Sequence, residues 1–238
     1  MLNLILIPAR GGSVGIKNKN LKLLNKKPLV HHSIDVAKKI LGNNKIILST
    51  DSKKIINKCK KYKKLEIPYI RSKKLSNNDS KISDVAIDVI QYYLKKNFFF
   101  DYLILLEPTC PLRDINQINY IVADVIKKKT KSAFTVCDAW HHPSEYIKIK
   151  NKNIYFYDKN IESNRQKYSK VYFVTGALYI INVNFFLKNK KFISKKSVPY
   201  RMSPYTMIDI DKPFDLNIAR KVFSEFSKNK KYKVTNLL

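Results

Sequence analysis

Residues 2–20 read Leu-Asn-Leu-Ile-Leu-Ile-Pro-Ala-Arg-Gly-Gly-Ser-Val-Gly-Ile-Lys-Asn-Lys-Asn, an apolar run that passes directly into a glycine-rich polar stretch. Leu2–Ile7 has the length and composition of a strand. Gly11, Gly12 and Gly15, three of only five glycines in the chain, follow it within one pentapeptide. A glycine-rich loop at the carboxyl end of a strand lets backbone N–H groups close on a phosphate that side chains would obstruct. Arg10 and Lys19 flank the loop and are placed to supply charge. The spacing is neither G-x-G-x-x-G nor G-x-x-x-x-G-K-[ST], which removes support for dinucleotide and P-loop readings. The alternative is a tight turn whose glycines only satisfy backbone geometry.

Working outward, short β-branched runs alternate with longer helical patterns, the signature of parallel strands joined by crossover helices. The patterns predict strands over Leu2–Ile7, Lys45–Ser49, Tyr102–Leu106 and Ser132–Cys137, and helices over Leu29–Leu41, Ser52–Lys61, Ser83–Lys96 and Ile115–Lys128. In the last helix Asp114 is the expected N-cap, while Ile115, Ile118, Ile121, Val122, Val125 and Ile126 repeat every three or four residues to form a core face. From Trp140 to Asn164 the pattern becomes polar, Tyr-rich alternation, as in an antiparallel ribbon projecting from the sheet. A buried strand is expected at Tyr172–Ile181, an irregular basic stretch at Phe185–Tyr205, a strand at Met207–Ile210 and a helix from near Pro213. With no internal repeat and no Gly/Ser linker, a single domain over 1–238 is expected, with 140–170 and 185–205 as excursions.

A second chemical signal is Ile208-Asp209-Ile210-Asp211. On a strand, Asp209 and Asp211 share one face while the isoleucines enter the core. At ~4 Å and an effective dielectric of ~20 their repulsion is on the order of 4 kcal/mol, which Mg²⁺ relieves. The competing reading makes Asp211 the N-cap of the helix that follows, with Pro213 in its first turn. The four histidines form two adjacent pairs, His31-His32 and His141-His142, a spacing unsuited to shared ligation. His31-His32 reads as exposed near a helix start, and Trp140 with the Tyr-rich ribbon as packing or interface residues.

The chain has 238 residues, 45% of them hydrophobic, enough to bury roughly 70–75% of its unfolded surface. Its 47 basic against 18 acidic residues give a formal charge of +29, which suits an anionic partner. Only six of the basic residues are Arg, and no Arg-rich helix or RNA-binding aromatic motif accompanies them, so a nucleic-acid partner is not expected. Much of the charge reads as compositional drift toward Lys, Asn and Ile. The three cysteines are far apart with no C-x-x-C, which argues against a disulfide framework or zinc ribbon. The N-terminus lacks a basic n-region, and the apolar run at Phe98–Leu106 is broken by Asp101, so a cytoplasmic protein with no membrane span is expected.

Taken together, Ile7–Asn20, Ser49-Thr50-Asp51, Arg71 with Asp79 and Ser83, Leu105-Leu-Glu-Pro-Thr-Cys-Pro-Leu-Arg113, Asn164-Arg-Gln166, Thr175-Gly-Ala-Leu-Tyr-Ile180 and Ile208–Asp211 resemble the acylneuraminate cytidylyltransferases. These enzymes make CMP-sialic acid and related CMP-nonulosonates, and the resemblance covers nearly the whole chain. It implies a three-layer α/β/α nucleotidyltransferase fold, Rossmann-like with a mixed sheet. It also implies a homodimer in which a small β excursion from each subunit helps to build the other's site. CTP and an acidic nine-carbon sugar would be the substrates and Mg²⁺ the cofactor.

Carried over position by position, Arg10 and Lys19 would hold the CTP phosphates, with Ala9, Gly11, Gly12 and Ser13 completing the cradle. Asn20, Arg71, Asp79 and Ser83 would address the nucleotide. Glu107, Thr175 and Tyr179 would line the sugar pocket, Arg165 would meet the acidic sugar and support catalysis, and Asp209 and Asp211 would bind the metal. The family commonly has Lys where this chain has Val14. Sialic-acid enzymes often have Gln at the position of Glu107 and Asn at that of Thr175, which leaves room for a legionaminic- or pseudaminic-type acid. Two alternatives follow from the same motifs: a CMP-KDO-type enzyme, disfavoured because Asn20 rather than Pro follows Lys19, and a non-catalytic CTP-binding paralogue, which the missing lysine at Val14 would suit.

Overall fold

A computed structural model of the chain describes residues 1–158, 168–228 and 232–238. The opening strand β1 (Asn3–Pro8) is buried along its whole length. Its side chains alternate between two cores: Ile5 and Ile7 belong to one cluster, Leu4 and Leu6 to another. That is why the run is apolar without interruption, as expected for a strand covered on both faces. Around it lie β4 (Asn44–Ser49), β5 (Leu65–Glu66) and β6 (Tyr102–Leu105), all parallel, after a short two-stranded ribbon of β2 (Leu23–Leu24) and β3 (Lys27–Pro28).

On the first face pack α1 (Leu29–Ala37), α2 (Lys53–Cys59) and α4 (Ile115–Lys127), through Val30, Ile34, Ile55, Ile118 and Ile121. On the second pack α3 (Ile82–Leu94) and α5 (Val183–Asn189), through Ala86, Val89, Ile90 and Phe186. At roughly 1.5–3 kcal/mol for each fully buried aliphatic side chain, these two clusters are the main source of stability. The layers are helix, sheet, helix.

The sheet continues through β7 (Ser132–Asp138), β10 (Tyr172–Asn182), β11 (Val198–Arg201) and β12 (Thr235–Asn236), in the order β12-β11-β7-β10-β6-β1-β4-β5. β10 runs antiparallel to both β6 and β7, so the sheet is mixed. β8 (Ile147–Lys150) and β9 (Asn153–Phe156) form an antiparallel ribbon outside this sheet, within the stretch where one is expected; residues 159–167 of that stretch lie outside the described residues. Asp114 caps α4 as expected, its Oδ1 accepting from the Asn116 N–H at 2.8 Å.

Four expectations are corrected. Residues 185–205 are not a loose excursion: they hold the end of α5 and then β11, which pairs with β7 and buries Tyr200. Met207–Ile210 is not a strand, because no ladder partner stands beside it among the described residues; a 3₁₀ turn covers Pro204–Met207, and the residues after it are tied by Ile208 N–H to Tyr205 O at 3.2 Å and Ile210 N–H to Thr109 O at 2.9 Å. His31 and His32 are not exposed. Because α1 starts at Leu29, His31 turns inward to 3% exposure against Tyr62, and the His32 Nε2 lies 3.0 Å from Leu24 O. Burial lowers both imidazole pKa values. The second half of β10 is buried as expected, but Tyr172–Val174, opposite Val136–Asp138 of β7, are exposed.

Candidate active site

The parallel strands β1, β4 and β6 end at the same edge, where an open α/β sheet presents ligands to its crevice. The loops leaving them enclose a cleft of about 340 Å³. The first loop contributes Arg10, Gly12, Ser13, Lys19 and Asn20; Arg71 follows β5, Glu107 follows β6, and Asp209 and Asp211 arrive from the far end of the chain. The glycine loop and the carboxylate pair therefore face one another.

Each glycine of the loop has a separate reason. A Cβ on Gly11 would lie 2.8 Å from Ser52 Cβ, and one on Gly15 would lie 2.1 Å from the backbone oxygen of Asp211. Gly15 thus lets the loop pack on the carboxylate segment. Beside Gly12 there is open space, leaving room for a ligand to approach the backbone. The Gly11 N–H does not point at a phosphate site, because Asp51 Oδ1 accepts it at 2.7 Å. The Ser49-Thr-Asp51 motif holds the loop from below.

Arg10 Nη1 donates to Asn77 O at 2.5 Å, and Asn20 Nδ2 donates to Arg10 O at 2.9 Å. Arg71 is buried, with Nε donating to Ser76 Oγ at 3.1 Å, Nη2 4.0 Å from Asp51 Oδ1, and the same Nη2 without a hydrogen-bond acceptor. Burial pulls the Arg71 pKa down, opposed by Asp51. A buried guanidinium with an idle donor facing a cleft is ready for an acceptor on a ligand.

Asp211 does not cap the final helix, α6 (Pro213–Lys228). Asp215 does so instead, its Oδ2 accepting from the N–H groups of Asp211 and Lys212 at 3.0 and 2.7 Å. The Asp211 carboxylate is thereby released to meet Lys19 Nζ at 2.6 Å. Asp209 Oδ1 is buried with no hydrogen-bond partner. A buried carboxylate oxygen without a donor is costly unless a cation completes it.

Among the described residues no group of three or more His, Cys, Asp or Glu side chains is assembled to hold an ion alone. Two carboxylates with substrate phosphates and water completing the shell is how Mg²⁺ is commonly bound. The residues present fit that mode.

Glu107 lies deeper. Burial pushes its carboxyl up to about 7; Asp209 and Asp211 push in the same direction, against Arg113 and Lys19. A Cβ on Gly176 would stand 3.2 Å from Glu107 Oε2, so glycine there leaves room for this carboxylate.

Other expected site residues fall elsewhere. Ala9 is buried beneath the loop, and Asp79 is exposed. Ser83 is in α3, whereas Asn77, Asn78 and Ser80 of the preceding loop line the cleft instead. Thr175 is fully buried, paired with Thr135 Oγ1 at 2.7 Å. Tyr179 sits outside the cleft lining; burial, with Glu107 next, raises its pKa. Arg165 lies outside the described residues. The Asn77–Ser80 signal was a run of turn-forming polar residues before a helix, which carries no chemical specificity by itself.

The model of the cytidylyltransferase family matches residues 4–232. The chain belongs to that family. Among its relatives, the CMP-N,N'-diacetyllegionaminic acid synthase of Legionella pneumophila is 32% identical over 225 residues, covering 92% of this chain and 95% of that one. The pseudaminic acid cytidylyltransferase of Campylobacter jejuni (strain 81-176) is 28% identical, covering 94% and 97%. The N-acylneuraminate cytidylyltransferase of Streptococcus agalactiae (strain 2603 V/R) is 25% identical over 95% of this chain but only 55% of its own length. A solved CMP:2-keto-3-deoxy-manno-octonic acid synthetase complexed with CTP superposes with a TM-score of 0.69 at 14% identity, over 94% of this chain and 99% of that one, which establishes the shared nucleotidyltransferase fold.

Proposed function

We propose that this cytidylyltransferase moves CMP from CTP to the anomeric hydroxyl of a nonulosonic acid, releasing pyrophosphate. Support comes first from the arrangement of the cleft: the glycine loop with Arg10 and Lys19 stands across from Asp209 and Asp211. The full-length relatives named for legionaminic and pseudaminic acids favour that branch, and Glu107 in place of Gln agrees with it.

In this reading the anomeric hydroxyl oxygen attacks the α-phosphorus, and the bond to the β-phosphate bridging oxygen breaks. The protein forms no covalent intermediate, so positioning and charge neutralisation carry the catalysis. Arg10 and Lys19 bind the phosphates that leave, while Asn20 and Arg71 orient the nucleotide; the Asp79 and Ser83 roles pass to their cleft-lining neighbours Asn77 and Ser80. Asp209 and Asp211 would hold Mg²⁺, which would supply positive charge to the phosphate oxygens. Glu107 receives the sugar, with Tyr179 beyond it and Arg165 as the partner for the sugar's carboxylate.

The ribbon supports a homodimer. Ile147 is opposite Phe156 and Ile149 opposite Ile154, so all four side chains share one face, and all are exposed. A two-stranded ribbon is marginal alone, and an uncovered apolar face of this kind calls for a partner; a second copy would bring its ribbon to the acid-binding end. Among the described residues no helix is long and apolar enough to cross a membrane, and a cytoplasmic location suits the substrates.

Pyrophosphate release from CTP with a panel of legionaminic, pseudaminic, sialic and KDO acids tests the reading. Turnover is expected with one of the first three. Turnover with KDO alone would move the chain to the alternative branch. CTP binding without release from any acid would identify a non-catalytic paralogue.

A further inference from the structure

Arg113 closes the Leu105–Arg113 motif, yet the reaction outlined above gives it nothing to do. It is buried, 5% exposed, and is not among the residues that line the cleft. Its acceptors are three backbone carbonyls and a hydroxyl: Nη2 donates to Glu107 O at 2.5 Å and Gly176 O at 3.3 Å, Nε to Ala177 O at 2.5 Å, and Nη1 to Ser33 Oγ at 3.2 Å. One planar fork thus ties the loop after β6 to β10 and to α1. Burial lowers its pKa to about 10, and Glu107 and Asp209 act in the opposite sense.

A buried cation is costly to keep without a paired carboxylate, so a purely structural tie would be served as well by neutral groups. What this cation adds is orientation. Nη2 holds the Glu107 carbonyl against that of Gly176, the residue whose missing Cβ leaves room for the Glu107 carboxylate.

We propose that Arg113 is a positioning residue that acts through Glu107, fixing the carboxylate beside Asp209 at the place where the acidic sugar is received. This rests on the reaction proposed above. A lysine keeps the charge but has no planar fork, so Arg113→Lys separates geometry from charge.

The test is a double-mutant cycle on the full chain with CTP, Mg²⁺ and the acid that the wild type turns over. Arg113→Lys is expected to raise the KM for the acid about 10- to 100-fold while CTP affinity by calorimetry stays within twofold, and to cost less than threefold when Glu107→Gln is already present. Losses that multiply in the double variant, or wild-type kinetics in Arg113→Lys, overturn the proposal. Should Arg113→Lys not fold, Ser33→Ala removes only the Nη1 acceptor. A two- to fivefold loss that disappears in the Glu107→Gln background is then expected, and a loss that persists there overturns it. A wild type that turns over none of the acids overturns the reaction and this proposal with it, whereas multiplying losses in an active enzyme overturn the proposal alone.

Discussion

The cleft and the β8–β9 ribbon are built on different principles. At the nucleotide end almost every group is positioned from within the chain: Asp51 holds the loop through Gly11, Asn20 holds Arg10 O, and Asp215 frees Asp211 for Lys19. Outside the cleft lining, the β8–β9 ribbon turns Ile147, Ile149, Ile154 and Phe156 to solvent. A site that is preorganised needs little reorganisation in the transition state, whereas a surface that is uncovered acquires its shape when something covers it. The difference is between groups already held by bonds within the chain and an apolar face that, on the proposed reading, a second copy would cover.

The contrast breaks most sharply at the carboxylates. If the nucleotide end is preassembled around a cation seat, Asp211→Asn should lower kcat on the order of 10²-fold or more, with the circular dichroism spectrum and melting temperature preserved, because Asp215 and not Asp211 caps α6. Unchanged turnover would return Asp211 to an ion pair with Lys19 and nothing further.

Glu107 sharpens the comparison from beneath the cleft. Its carboxyl stands at about 7 in the folded chain, chiefly through burial, against about 4.5 for an ordinary glutamate. A raised carboxyl pKa leaves stability untouched below the unfolded value and removes it as pH climbs through the folded one. At about 1.36 kcal/mol for each tenfold change in proton affinity, the rise from 4.5 to about 7 is worth about 3.4 kcal/mol. In EDTA, Glu107→Gln should therefore be more stable than the wild type by that amount at pH 8 and nearly equal to it at pH 4.5, as measured by urea midpoints. A difference that does not grow with pH would place Glu107 in a wetter setting than its burial indicates.

Legibility in the sequence divides along similar lines. The parallel strands and their helices were readable because an uninterrupted apolar run and a 3.6-residue repeat are local patterns; Ile118, Ile121 and Val125 could hardly face elsewhere. The alternation of Ile208–Asp211 also survived, with Ile210 buried and both aspartates at the cleft, although the strand inferred from it did not form. Alternation reports which side a residue faces, while a strand requires a neighbour that the sequence does not name. His31 was misread because adjacent polar residues suggest a surface, and only the packing of Tyr62 reveals the inward turn. Arg113 was visible as part of a motif, but two of its acceptors are the backbone carbonyls of Gly176 and Ala177, more than sixty residues away, which leave no mark in side-chain chemistry.

At the ribbon, the comparison predicts independence. Replacing Ile149 and Phe156 together with Ser should convert a dimer to a monomer by light scattering at micromolar concentration. It should reduce kcat/KM for the acid roughly 10- to 50-fold through lost positioning. CTP affinity should move less than threefold, since no ribbon residue lines the cleft. A wild type already monomeric, or a matching loss of CTP binding, would erase the distinction between the cleft and the ribbon.

The smallest expected effect lies at Arg10, and its size follows from what the guanidinium already does. Its Nη1 is not idle: it donates to Asn77 O at 2.5 Å. Binding a triphosphate exchanges a neutral carbonyl for an anionic oxygen, so the gain is the difference between a charge-assisted bond to phosphate and one to a carbonyl, about 1–1.5 kcal/mol. Arg10→Ala should accordingly weaken CTP about tenfold by calorimetry, less than a free cation at the same place would imply. A loss of 100-fold or more would mean that Arg10 also holds the 72–81 loop in its binding shape. The companion variant Asn77→Gly, which keeps the carbonyl while loosening its backbone, should then weaken CTP as well. Unchanged affinity in Arg10→Ala would remove the residue from the phosphate site and leave Lys19 as the cation that flanks the glycine loop there.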